Sequence, residues 1–423
     1  MTRSLRERLY AWGRKSLPVG WRRALRRTIA VEKLFGIEKP PPDARLLPLS
    51  PEQTVESGLD LIFLPVIPWL YRWQRPQQLA GALARRGRRV FYVTLRGPGE
   101  PLEPVAAETG VILLPIPGIR WEDPPDRRLR GRALREAEEA FARYRERFGL
   151  DRVATVAQTP YWEPLAVALR RRFGWKIVFD CLDEYAAFST NRKTVLEESG
   201  ERLTASADLV VATARPLLEK VSRRNANARL LPNACDYDFF AQVAPRASPA
   251  GALRIGYFGA LEEWFDTELL IELARRRPDW TFDLVGEPDP LVQAALAGLP
   301  NVVLRGERPY RELPSYLETF DVIAVPLRLT PLTRAVDPVK FYEAAAAGRP
   351  VVATPMAPLE PLAARGLVRL AATAADFERE IEAAAAEAPR TAPMLRAFAR
   401  ENTWDARAKD LETMVAALFS PRS

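Results

Sequence analysis

Twelve short apolar runs, each leading into a stretch with helical spacing, constrain this chain more than any other feature. The first six are LIFLPV (61–66), RVFYVT (89–94), VILLPI (111–116), VATVA (153–157), KIVFD (176–180) and DLVVAT (208–213). The second six are RIGYFG (254–259), WTFDLVG (280–286), NVVLRG (301–306), DVIAVP (321–326), PVVAT (350–354) and VRLA (368–371). Apolar runs alternating with amphipathic helices are the pattern of a parallel sheet covered on both faces. After the first run, Pro76 suits a first helical turn, Leu79, Ala80 and Leu83 form a buried stripe, and Gly87 ends it. Residues 232–253 interrupt the rhythm, and 423 residues exceed what one ordinary core serves. The chain therefore reads as α/β with two Rossmann-like units meeting near residue 240.

Charge divides the chain differently. Residues 1–35 hold ten Lys and Arg against Glu7 and Glu32, while the rest carries 52 basic and 52 acidic residues. The net charge of +8 thus sits on an N-terminal arm whose Leu5, Leu9 and Trp12, then Trp21, Leu25 and Ile29, fall at helical spacing. Residues 38–57, with Pro40, Pro41 and Pro42, read as a linker.

Several chemistries are excluded by composition. There is no histidine, so a Ser-His-Asp triad, a Cys-His pair and histidine-ligated zinc are out of reach. Cys181 and Cys235 stand far apart and make neither a disulfide framework nor a metal-ligand spacing. No Walker A or G-x-G-x-x-G string is present, which argues against P-loop, nicotinamide and flavin chemistry. No apolar run approaches the ~18–20 residues needed to span a bilayer, and no signal-peptide pattern opens the chain, so a cytoplasmic protein is expected.

In parallel sheets ligands bind beyond the carboxyl ends of the strands. Gly259, Gly286 and Gly306 stand at three such ends, where a phosphate can approach the backbone closely, although tight turns alone would also use them. The segment DPVKFYEAAAAGRPVVATP (337–355) puts Lys340 and Glu343 three apart, on one face if helical. That spacing fits either an ordinary surface ion pair or a site in which Lys340 meets a diphosphate and Glu343 accepts hydrogen bonds from ribose hydroxyls. In the first unit, Asp180, Asp183 and Glu184 follow a strand end, where a carboxylate can either cap the loop or handle an acceptor's proton. Arg72, Arg75 and Gln78 enter the first helix and are candidates for holding a phosphate or a charged acceptor. Trp69, Trp73, Tyr161 and Trp162 are either core or stacking surfaces for a sugar.

The segment 337–355 resembles the donor-site segment of GT-B glycosyltransferases of the family-4 type. PNACDYDFF (232–240), IGYFGALEEWFD (255–266) and residues 301–329 match in the same order. In the first unit, residues 69–87, 158–165 and 179–188 look like bacterial cell-envelope polysaccharide transferases of the teichuronic-acid type. The resemblance covers roughly residues 58–415. It implies a GT-B fold, two Rossmann-like domains facing a central cleft, with four parts: an arm and linker (1–57), an acceptor domain (58–240), a donor domain (241–402) and a C-terminal helix (403–423) returning to the first domain.

It also implies transfer of a sugar from a nucleoside-diphosphate sugar to a glycan or lipid-linked acceptor, with retention of configuration, no cofactor and no metal. Of the site residues only Glu343 carries over from the family; the residues themselves add Gly259, Gly286 and Lys340 as donor contacts, Asp183 as the catalytic carboxylate, and Arg72, Arg75 and Glu184 as candidates to meet acceptor or phosphate. Asp236-Tyr237-Asp238 matches the D-x-D of the other glycosyltransferase fold, but its place in the hinge string explains it better. The sequence departs from the family at Ala335, where a second glutamate is common, and in GALEEWFD, which lacks the usual basic pair. Two rivals stay open: a GT-B nucleotide-sugar epimerase and, because of these departures, a catalytically inactive nucleotide-sugar-binding scaffold.

The arm fits the inner face of a membrane, since basic residues gain about 1 kcal/mol each near anionic lipid and an amphipathic helix adds apolar burial. Docking on the first domain is the competing use, and no motif for nucleic acid accompanies the basic run. Membrane binding predicts that the full chain sediments with anionic vesicles at low salt, and loses this at high salt or without residues 1–35. Equal sedimentation of the truncated chain would contradict it.

Overall fold

The computed structural model describes residues 46–49, 58–95, 103–117, 129–188, 193–244 and 252–420. The basic arm lies outside the described residues. Two sheets form, one per lobe. The first lobe holds β1 (Leu46–Leu47), β2 (Asp60–Leu64), β3 (Arg89–Leu95), β4 (Val105–Ala107), β5 (Ile112–Ile116), β6 (Val153–Ala157), β7 (Lys176–Cys181), β8 (Leu209–Ala212) and β9 (Ala228–Leu230). Their order is β1-β4-β5-β3-β2-β6-β7-β8-β9, parallel from β5 to β9. The second holds β10 (Arg254–Phe258), β11 (Thr281–Val285), β12 (Val302–Gly306), β13 (Val322–Val325), β14 (Val351–Ala353) and β15 (Arg369–Leu370), in the order β12-β11-β10-β13-β14-β15, all parallel. Both orders reverse direction beside their first strand, at β2/β6 and β10/β13. Such switch points open a crevice beyond the strand ends.

Period-two alternation divides each strand between two cores. In β2, Ile62 and Leu64 join one apolar cluster, and Leu61 and Phe63 the other. In β10, Phe258 faces one layer while Ile255 and Tyr257 face the opposite one. The apolar runs read from the sequence all fall on strands. The short edge strands β1 and β4, paired antiparallel at Leu46–Ala107 and Leu47–Ala106, were not anticipated, and β1 lies inside the stretch read as linker. Two or three residues carry no readable periodicity.

The chain passes between the lobes twice, and the passages are bonded to each other. Cys235 N donates to the Asn402 carbonyl at 3.2 Å, and Trp404 N donates to the Cys235 carbonyl at 3.1 Å. Beyond them the helix Trp404–Ala417 lays Trp404, Ala408, Leu411 and Val415 on the first lobe, in one cluster with Leu79 and Leu83. Ion pairs of Arg86 and Arg88 with Glu412 edge that contact. Among the described residues no helix is long and apolar enough to cross a membrane.

Gly256, central in β10, has no room for a side chain: a Cβ there would lie 2.1 Å from the ring of buried Phe320. Gly256→Ala is expected to destabilise the protein by about 1–3 kcal/mol, the usual range for overpacking. A urea unfolding midpoint equal to the parent's would contradict this packing.

Candidate functional site

The crevices of the two sheets face each other, and a buried polar network spans them. Gln77 donates from its side chain to the carbonyls of Pro68 and Arg72, shaping the loop between β2 and the helix Arg75–Arg85. Arg75 at the head of that helix donates to both carboxylate oxygens of Asp180, at 3.2 and 2.8 Å. It also donates to the Pro232 carbonyl and to Asn233 Oδ1. Asn233 lies on the first passage between lobes. Its backbone N–H donates to Asp337 Oδ2 at 2.7 Å, and its side chain to the Asp337 carbonyl. Tyr342 donates to the Asp337 carboxylate, whose pKa burial pushes up to about 6.

On the second lobe three glycines stand in contact at the ends of β10, β11 and β12. Gly259 has φ +129°, and a Cβ there would lie 2.5 Å from Lys340 Cε and 2.7 Å from its Nζ. Gly286, at φ +153°, abuts the Gly259 carbonyl, and its N–H donates to the Gly306 carbonyl at 2.9 Å. L-residues rarely adopt these φ values, so the close approach requires glycine.

The helix Val339–Ala346 carries Lys340, whose side chain meets Gly259, and Glu343 three residues on. Lys340 Nζ lies 5.4 Å from the Tyr257 ring centroid, and no acidic side chain among the described residues pairs with it. Burial lowers its pKa, Glu343 opposing this and Arg72 adding to it. Glu343 is buried and accepts from Tyr310 Oη at 3.0 Å. Burial raises its carboxyl to about 7, against the pull of Tyr310 and Lys340.

The site residues expected from the sequence separate accordingly. Gly259, Gly286, Lys340 and Glu343 come together. Asp183 is half-buried at the first-lobe side with no hydrogen-bond donor among the described residues, and burial raises its pKa to about 7. Glu184 pairs with Lys220 at 2.6 Å. Arg75 and Asp180 are consumed by each other, which leaves neither open to a ligand. Arg72 reaches across to Glu307 of the second lobe. Trp69 and Trp162 are core: Trp69 packs edge-on against Trp73 and Tyr92, and Trp162 Nε1 donates to the Pro65 carbonyl. Asp236 caps the helix Tyr237–Ala241, and Ala335 is buried in the first lobe's apolar cluster.

Sequence reasoning missed Tyr310. Its ring stacks on Phe239 with centroids 5.4 Å apart, and its hydroxyl also accepts from Gln78 of the first lobe at 3.0 Å. Its only signal was a place just past the end of β12. A shallow concavity lined by Glu268, Ile271, Glu272, Arg275 and Arg276 lies along the helix Thr267–Arg276 and shares none of these features.

Residues 252–387 match the family described as glycosyl transferases group 1. TuaH of Bacillus subtilis (strain 168), which carries the name of a teichuronic acid biosynthesis glycosyltransferase, is 29% identical over 204 residues, covering 43% of this chain. The chain spans 51% of that relative's length. Among solved structures, sucrose-phosphate synthase from Thermosynechococcus elongatus superposes with a TM-score of 0.68 at 20% identity, covering 85% of this chain and 99% of that one. Anabaena HepE in complex with UDP-glucose does so at 0.62 and 15% identity, again covering 85% and 99%. The fold is GT-B.

The burial of Arg75 gives a direct check on its role. Arg75→Met leaves the Asp180 carboxylate buried with Gln158 as its remaining donor. Losing one partner of a buried pair costs about 3–5 kcal/mol. Arg75→Met is expected to lose that much stability and the double variant Arg75→Met/Asp180→Leu to recover most of it, read by thermal unfolding. Unchanged stability of the single variant would contradict the structural role.

Proposed function

We propose that this chain, whose residues 252–387 are a glycosyl transferases group 1 domain within a GT-B fold, transfers a sugar from a nucleoside-diphosphate sugar to a glycan or lipid-linked acceptor in cell-envelope polysaccharide synthesis. The observation that carries the reading is Lys340, without an acidic partner among the described residues, against Gly259, with buried Glu343 three residues on along the same helix. Lys340 is placed to neutralise the departing diphosphate, and the glycine cluster lets phosphate oxygens approach the backbone. Glu343, once ionised, offers two acceptor oxygens to vicinal ribose hydroxyls. UDP-glucose in HepE and the teichuronic acid name of TuaH support the donor and acceptor classes.

In the reaction the bond from the anomeric carbon to the diphosphate oxygen breaks, and the acceptor oxygen bonds to that carbon. The acceptor proton passes to the leaving phosphate, which accounts for transfer with retention, without metal and without histidine. Asp183 orients the acceptor hydroxyl from the first lobe. Catalysis is then mainly positioning and stabilisation of the leaving group. Residues 1–35 bring the protein to the inner membrane face and its lipid-linked acceptor.

Two outcomes test the donor assignment. Glu343→Ala removes charge-assisted hydrogen bonds worth ~1.5–3 kcal/mol, so calorimetry of UDP, GDP and dTDP sugars should show weakened binding of whichever donor the parent takes. Because the free carboxyl titrates at about 7 and the ribose hydroxyls bind its ionised form, affinity should rise as pH goes from 6 to 8. Below pH 7 a proton must first leave. Glu343→Gln should flatten that profile, and a profile of the same slope in the variant would refute the assignment.

A further inference from the structure

A diphosphate ester carries about two negative charges, and among the described residues Lys340 is the cation that touches the second lobe's glycine cluster. The exit of β10 reads Gly259-Ala260-Leu261-Glu262-Glu263, without a base, and β11 leads into Gly286-Glu287. Arg328 is paired with Glu268 at 3.9 Å. The first lobe supplies what is missing. Glu307 follows Gly306 directly, and Gly306 is held by its hydrogen bond to Gly286, which in turn abuts Gly259 beside Lys340. Arg72 grips Glu307 with Nε at 2.7 Å and Nη2 at 3.3 Å. The guanidinium is thereby tied, from the first lobe, to the residue that follows Gly306. Its field reaches Lys340, Tyr257 and Glu262.

We infer that Arg72 is the second cation of the diphosphate site, contributed across the cleft, and that Glu307 is its resident counter-ion, exchanged for phosphate when donor binds. The inference rests on the donor reading above. The exchange is feasible because the Arg72–Glu307 pair is partly exposed, and such pairs hold weakly. A phosphate presents the same fork of oxygens that the Glu307 carboxylate presents now, which suits a planar guanidinium. The exchange also makes donor the bridge between lobes: the diphosphate takes the place of Glu307 as the group on which Arg72 closes.

The test uses the full chain, UDP, GDP and dTDP as probes, and the matching nucleoside as a phosphate-free control. Arg72→Gln should weaken the bound nucleotide about tenfold or more, the scale of a lost charge-assisted hydrogen bond. Glu307→Gln should tighten it about two- to five-fold, because the competing carboxylate is gone. The double variant should behave like Arg72→Gln, since Glu307 acts only through Arg72. Nucleoside affinity should stay unchanged throughout, as should nucleotide affinity in the exposed control Arg308→Gln. A pair that merely clasps the lobes would make both single variants weaken binding, and that result overturns the inference. So does the absence of any effect at Arg72 in a chain that binds nucleotide. Failure of the parent to bind any of the three nucleotides overturns the donor reading itself, and this inference with it.

Discussion

The arrangement depends on one buried guanidinium. Arg75 leaves water only because Asp180, Pro232 and Asn233 take its hydrogen bonds, and an unpaired charge at that depth would be prohibitively costly. Asn233 passes the constraint on to Asp337, one turn before Lys340. A buried ion pair is weak support for stability as such, but its geometry is demanding. Any shift of the second lobe relative to the first would break the bonds of Asn233 to Asp337, so the network sets the gap between the lobes.

Within that gap the chemistry follows from what the sheets leave open. Parallel strands ending in glycine expose backbone where a side chain would otherwise stand, and Gly259 yields its volume to the Lys340 side chain. Burial discourages the charge on both groups of the helix, and so moves their pKa values in opposite directions, Lys340 down and Glu343 up. A ligand that brings negative phosphate to the first and hydroxyl donors to the second relieves both penalties together. The same site would be a poor host for an uncharged sugar alone.

Much of this was legible in the residues. The two series of apolar runs announce two parallel sheets because strands buried on both faces need continuous apolar stretches. The spacing of three before a small-residue run put Lys340 and Glu343 on one face if helical, as a surface ion pair or a site, and the helix Val339–Ala346 does bring them to one face. What sequence could not show is tertiary in origin. Arg72 and Arg75 look alike in WLYRWQRP, yet one lies in the cleft and the other is sealed by partners more than a hundred residues away. Tyr310 acquires meaning through Glu343 and, across the lobes, Gln78, and Glu307 through Arg72 on the other lobe. Glu184, Asp180 and Asp183 sit within five residues, and only folding decides that the first two are engaged while the third stays open.

The central claim is that Lys340 meets the diphosphate while the rest of the site meets the nucleoside. Calorimetric titration of Lys340→Ala with the preferred nucleoside diphosphate and with its nucleoside tests it most directly. The account predicts a loss of about tenfold or more for the diphosphate, the worth of one charge-assisted contact, and none for the nucleoside. Equal losses for both, or no loss for the diphosphate, would contradict it.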